Sequence, residues 1–213
     1  GLSLTVSEYT FVRNLELLNQ KEKDYNFTNM DPAAAALAMQ QKQPGHDAIV
    51  VWNPFVLETL NKRDDVHVLF DSSTIKGEII DMIVVSQDAL DREGGVNFAN
   101  AVVDTFYRMN ERIEDEKTRD ETLIALGAKF SDLDLESMKK VVEQTQFYKT
   151  PEAGLALFTG DEIVGVMEKV YKFEKEHGML DNGEPTVGFG SKEQTPDASF
   201  RFDPTYIKNV SGK

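Results

Sequence analysis

Three hydroxyl-bearing residues stand at alternate positions near the start of the chain, Thr5, Ser7 and Tyr9. They precede a run with helical spacing. A helix amino terminus with free N–H groups and neighbouring hydroxyls is a natural site for an anion. Plain N-capping by Ser7 accounts for the same residues equally well. Trp52, the only tryptophan, ends an apolar run. It offers a flat apolar wall and one N–H donor, which suits a ligand cleft, and a packed core tryptophan is the plain alternative. Asn53 beside it can donate to an oxyanion or cap the helix that starts at Pro54, and capping is the preferred role. Glu78 and Asp81 bracket a further apolar run. Facing a cleft, they would take a cationic group such as an amine, although solvent exposure or salt bridging is the commoner fate of such side chains. Ser72, Ser73 and Thr74 form a second polar loop, explained as readily by a solvated turn.

Other chemistries find little to build on. His46, His67 and His177 are scattered and lack the spacing of a metal-binding pair. There is no cysteine, so thiol nucleophiles, disulfides and Cys-type zinc sites are excluded. No glycine-rich phosphate loop and no Gly-x-Ser-x-Gly elbow occurs. The expectation from these motifs is no metal, no cofactor and no motif-borne catalytic residue. The formal net charge is −14, which argues against a nucleic-acid or anionic-membrane surface. Acidic residues outnumber basic ones on both sides of Ile79, so the charge is spread and serves solubility. No run reaches the ~20 apolar residues that a membrane helix needs.

The elements that must position these residues alternate in the first part. Leu4 to Ser7 reads as the end of a strand, with a helix capped by Ser7 over Glu8 to Asn19, where Phe11, Leu15 and Leu18 share a face. Tyr25 to Met30 reads as a strand. Asp31 caps a helix that runs to Gln41, with Pro32 at its first position. Ala48 to Trp52 is a short β-branched apolar run, read as a buried strand, and Pro54 to Asn61 is a helix. Val66 to Phe70 and Ile79 to Ser86 read as strands. This alternation predicts parallel pairing with right-handed crossovers. Beyond Asp88 helices dominate: Val96–Ile113, Thr118–Phe130, one within Ser131–Gln146, Pro151–Phe158 and Asp161–His177. From about Leu180 the segment is irregular, and Phe189 to Phe202 reads as an extended tail.

The block Asp47-Ala48-Ile49-Val50-Val51-Trp52-Asn53-Pro54-Phe55 resembles the Asp-Ala-(apolar)-Trp-x-Pro-Phe segment of ABC-importer solute-binding proteins of the nitrate/sulfonate/taurine (NMT1/THI5-like) group. The likeness extends to Val68-Leu69-Phe70-Asp71-Ser72-Ser73, to Ile79–Val85 and to the helical part as far as Gly178. The resemblance implies an α/β fold of the type II periplasmic-binding-protein kind. Residues 1–79 would form the second lobe, and residues 80–213 the mostly helical C-terminal part of the first, with an irregular tail from about 180. It implies that Thr5, Ser7, Tyr9, Trp52, Asn53, Glu78 and Asp81 line an interlobe cleft that hinges shut over a small solute, expected to be anionic. The partners implied are that solute and the membrane subunits of an ABC transporter, in the periplasm or anchored at the cell surface. No signal segment stands in this chain. The family's pattern further implies an amino-terminal segment ahead of Leu4, missing here or carried by a companion chain. The alternative is an enzyme on the same scaffold, forming pyrimidine precursors or acting as a lyase, with His46, His67, Glu78 and Asp81 as its acid/base candidates.

Overall fold

The computed structural model describes residues 1–130, 132–180 and 183–212. It is mixed and helix-rich: helices take up 54% of it, and two short strands pair in parallel. In order, the helices are α1 (Val6–Leu17), α2 (Pro32–Gln40), α3 (Phe55–Lys62), α4 (Gln87–Leu90), α5 (Gly95–Glu114), α6 (Arg119–Phe130), α7 (Leu135–Gln144), α8 (Pro151–Thr159), α9 (Asp161–Glu176) and α10 (Thr205–Val210). The strands β1 (Val187–Phe189) and β2 (Phe200–Phe202) fall between α9 and α10. The chain divides into two compact units, Gly1–Ile80 with Val170–Met179, and Asp81–Lys169 with Leu180–Lys213.

In the first unit, α1 starts where Thr5 Oγ1 accepts from the Ser7 N–H at 3.2 Å. The cap is therefore Thr5, and Ser7 lies inside the first turn. The expected strand end at Leu4–Ser7 is absent, because the helix has already begun and Leu4 has a left-handed φ of +58°. One face of α1 buries Tyr9 and Val12 against Ile75 and Phe173, and Phe11, Ile79, Val170 and Met179 close the cluster. Each aliphatic side chain so buried contributes about 1.5–3 kcal/mol. α2 follows the predicted plan. Asp31 Oδ1 accepts from the N–H groups of Ala33 and Ala34, and Pro32 opens the helix. Its buried alanines, Ala35, Ala36 and Ala38, present little bulk where α3 packs. Leu57 and Thr59 of α3 are buried, and Gln40 donates to Thr59 Oγ1 at 3.2 Å.

The four other runs read as strands, Tyr25–Met30, Ala48–Trp52, Val66–Phe70 and Ile79–Ser86, are irregular. An apolar, β-branched run records a preference for a pleated surface, but a strand exists only where a neighbour completes its ladder. Among the described residues, the backbone of these runs pairs with another segment at Gly1. Gly1 donates to the Thr28 carbonyl at 3.4 Å, and Met30 donates to the Gly1 carbonyl at 2.9 Å. One residue bonded to both neighbours of Asn29 is the parallel pattern.

The second unit is built around α5, which buries Val103 and Tyr107 against Ile207 and Val210 of α10, with Leu155 and Phe158 of α8 beside them. Further along, Ile113 meets Leu123 of α6 and Met138 of α7. Asp134 caps α7 and Thr150 caps α8 ahead of Pro151. Ser131, placed in a helix by the sequence pattern, lies outside the described residues. The expected extended tail is instead ordered. β1 and β2 pair Val187 with Phe200 and Phe189 with Phe202, and the last two rings stack at 5.1 Å. α10 then returns to α5.

Candidate functional site

The sequence-derived candidates gather most closely at α1. Ser7 is 3% exposed, and its Oγ is buried with no hydrogen-bond partner. A buried hydroxyl left unpaired is costly, so a structure that keeps one calls for a reason. It sits in the first turn of α1, whose amino end carries the positive pole of the helix. Among the described residues, the backbone N–H groups of Val6 and Glu8 bond to no protein acceptor. The Glu8 carboxylate turns back to accept from the Leu4 N–H at 2.6 Å, and the Thr5 hydroxyl donates to the Leu2 carbonyl at 2.8 Å. These two bonds hold the chain in its sharp entry to the helix. Leu4 is a bulky residue in the left-handed region, a conformation that costs about 1–3 kcal/mol and concentrates at ligand clamps.

The segment that feeds α1 is crowded on two sides. Ser3 donates to Asn29 Oδ1 at 3.0 Å. A Cβ on Gly1 would lie 2.6 Å from the Val50 carbonyl and 2.8 Å from the tip of the Phe27 ring. So the runs before α2 and before α3 both come up against the residues before α1.

Tyr9, one turn on, belongs to a buried polar cluster. Its hydroxyl donates to Glu78 Oε2 at 2.8 Å. Arg13 grips the same carboxylate with two prongs, Nε to Oε2 at 2.7 Å and Nη2 to Oε1 at 2.9 Å, and also bonds Glu16. Burial, then the bond to Glu78, raises the Tyr9 phenol well above its ordinary range, so it stays a neutral donor. Glu78 is 9% exposed, and both of its oxygens are engaged. A cationic ligand would therefore compete there with a guanidinium already in place. Arg13 is the member that sequence reasoning missed, although its position four residues after Tyr9 puts the two on one face of α1.

The remaining candidates stand elsewhere. Trp52 is 39% exposed, which makes it neither a packed core residue nor a sealed wall. A cis peptide joins Asn53 to Pro54, and α3 begins at Phe55 with no side-chain cap, so Asn53 does not take the capping role. Asp81 is exposed and falls in the second unit. Thr74 Oγ1 lies 2.7 Å from Asn14 Oδ1, while Asp71 accepts from the Ser73 N–H, so this loop is a capped turn against α1. His46 Nδ1 lies 3.2 Å from the Pro44 carbonyl, and His67 is exposed. Among the described residues no group of three His, Asp or Glu side chains is placed to hold a metal ion, and no helix is long and apolar enough to cross a membrane. In the second unit an open hollow of about 290 Å³ is lined by Phe158, Asp161, Phe189, Gln194 and Lys208, among others.

Comparison of the chain with family models, with curated proteins and with solved structures gives no match.

Proposed function

We propose that this chain captures a small anionic solute at the amino end of α1, without chemistry, as the solute-binding component of an ABC-type importer. The observation that carries the reading is the Ser7 hydroxyl, buried and without a partner in the first turn of a twelve-residue helix. Open backbone N–H groups and a strained entry at Leu4 stand beside it. An anion is favoured over an amine because Glu78, the carboxylate that would hold an amine, already binds Arg13 and Tyr9.

The finer fold proposed with it is the periplasmic-binding-protein kind of α/β lobe. Two contacts support that order. The parallel bond pattern at Gly1 aligns the run before α2 with the residues that lead into α1, and the Val50 carbonyl brings the run before α3 against the same residue. In an open α/β arrangement, ligands bind at the carboxyl ends of such runs where the chain order reverses. The importer assignment and a periplasmic or surface location rest on the sequence resemblance around Trp52-Asn53-Pro54.

Calorimetric titration with nitrate, methanesulfonate and taurine, beside a panel of simple amines, tests the reading. The expected result is saturable binding of at least one anion, weakened tenfold or more by Ser7→Ala. Binding confined to amines, or anion binding indifferent to Ser7→Ala, would falsify it. Turnover of a bound compound would favour an enzyme on the same scaffold.

A further inference from the structure

Val170–Met179, the end of α9 and the residues after it, belongs to the first unit, and one histidine fastens it there. His177 Nδ1 lies 2.8 Å from the Phe173 carbonyl, and its Nε2 lies 3.1 Å from Glu22 Oε2. Both partners are acceptors: a carbonyl has no proton to give, and a carboxylate accepts only. A neutral imidazole carries one N–H and can satisfy one of the two. The imidazolium satisfies both. The ring also lies flat on Phe173, with centroids 3.8 Å apart and planes 21° from parallel, which suits a cation over an aromatic face. Phe173 in turn meets Tyr9 edge-on at 4.9 Å, so the fastening reaches the ring that binds Glu78.

We propose that His177 is a pH-operated clasp. Protonated, it pins the carboxyl end of α9 to the turn around Glu22. Deprotonated, it leaves one acceptor facing another and loosens that end. The acidic groups that bear on it act in the same sense. Glu22 comes from the short turn after α1 and Glu8 from the first turn of α1, and both favour the cation. On its own helix the charged neighbours in sequence are Glu174, Lys175 and Glu176. The clasp stands independently of any solute reading, because its contacts run from His177 to Glu22 and Phe173, none of which belongs to the proposed anion site.

The test uses the full chain. Proton NMR follows the His177 ring through a pH titration, and amide hydrogen exchange follows Val170–Met179 at each pH. The expected midpoint lies above the ordinary histidine value of about 6.5, and Glu22→Gln lowers it. Exchange over Val170–Met179, corrected for the intrinsic pH dependence, speeds up as pH passes that midpoint, and this step is absent in His177→Gln. A His177 midpoint at or below the ordinary value in the unsubstituted chain overturns the proposal, and so does an exchange step that persists in His177→Gln. The ring titration needs no variant, so it decides even if a substitution impairs folding.

Discussion

Arg13 and Glu78, 65 positions apart in sequence, face each other as a two-pronged ion pair, with Nε–Oε2 at 2.7 Å and Nη2–Oε1 at 2.9 Å. The Tyr9 hydroxyl donates to Oε2 from the same helix, at 2.8 Å. The pair ties α1 to the segment following Ile75, and it sits at the edge of the cluster of Tyr9, Val12, Ile75 and Phe173.

Because the carboxylate is 9% exposed, removing its partner costs more than keeping the pair gains. Arg13→Ala is expected to destabilise the chain by about 3–5 kcal/mol, the usual range for stranding one member of a buried pair. Arg13→Lys keeps the charge but loses the second prong, so it recovers only part of that loss. Urea denaturation of the three proteins at neutral pH measures the order. Equal stability of Arg13→Ala and the unsubstituted chain would show that the carboxylate is solvated in solution.

Ser7→Ala has the opposite sign. The hydroxyl is buried and unpaired, so deleting it removes a desolvated polar atom and breaks no bond. Stability is expected to hold or to rise by about 1 kcal/mol, while affinity for the anion falls. A buried serine that served only the fold would give the reverse pattern, lost stability with unchanged binding. Chemical denaturation and calorimetric titration of the same variant separate the two.

Most of the helices were legible in the sequence because their signals are local, while the short α4 and α10 were not read. Asp31-Pro32 opens α2, Thr150-Pro151 opens α8, and the break at Gly94-Gly95 sets the start of α5. The strand readings failed because a ladder is not local. Val66–Phe70 has the composition of a strand, yet among the described residues it joins no ladder, and Leu69 is left 73% exposed. β1 and β2 were hidden by their length of three residues each, although Phe200 and Phe202 flank Arg201 with the two-residue period of a strand. At the site, Tyr9 and Glu78 were both singled out, but nothing in the sequence joins residues 69 positions apart. Ser7 was read as a cap. Thr5 takes that role instead by accepting from the Ser7 N–H, and Ser7 lies inside the first turn with its hydroxyl unpaired.

Gly94 and Gly95, at the start of α5, are expected to resist substitution for different reasons. Gly94 has φ +79° with open space around it, so Gly94→Ala costs the left-handed penalty of roughly 1–2 kcal/mol. A Cβ on Gly95 would lie 2.0 Å from the Ala89 carbonyl oxygen and 2.8 Å from that of Leu90. Both are backbone atoms at α4, so neither can swing aside and α4 itself must shift. Gly95→Ala is expected to cost about 1–3 kcal/mol. Gly94→Asn, which tolerates the left-handed region, should regain most of its loss, and Gly95→Asn should regain none. Thermal unfolding of the four variants checks the contrast.

The carboxyl end of α9 should make stability fall as pH rises from mildly acidic to alkaline. Burial pulls His177 down, but the Phe173 carbonyl, Glu22 and Glu8 together outweigh it, and the net direction is upward. Burial also raises Glu174. In both cases the folded chain holds its proton more tightly than the unfolded one, so stability declines with pH across the interval between the two values. For Glu174 that decline begins at the ordinary glutamate range. For His177 the contribution is complete below about 6.5 and is gone once pH has risen through the folded value. Asp65, Asp91, Asp134 and Glu193 are lowered by hydrogen bonds and work the other way, but their effect is finished above the ordinary carboxylate range. Subtracting the curve for His177→Gln removes all of these and isolates the histidine. The difference in unfolding free energy should be positive at about pH 5.5 and should shrink steadily toward about pH 8.5. A difference that stays constant across that range would mean that His177 contributes packing on Phe173 and no charge.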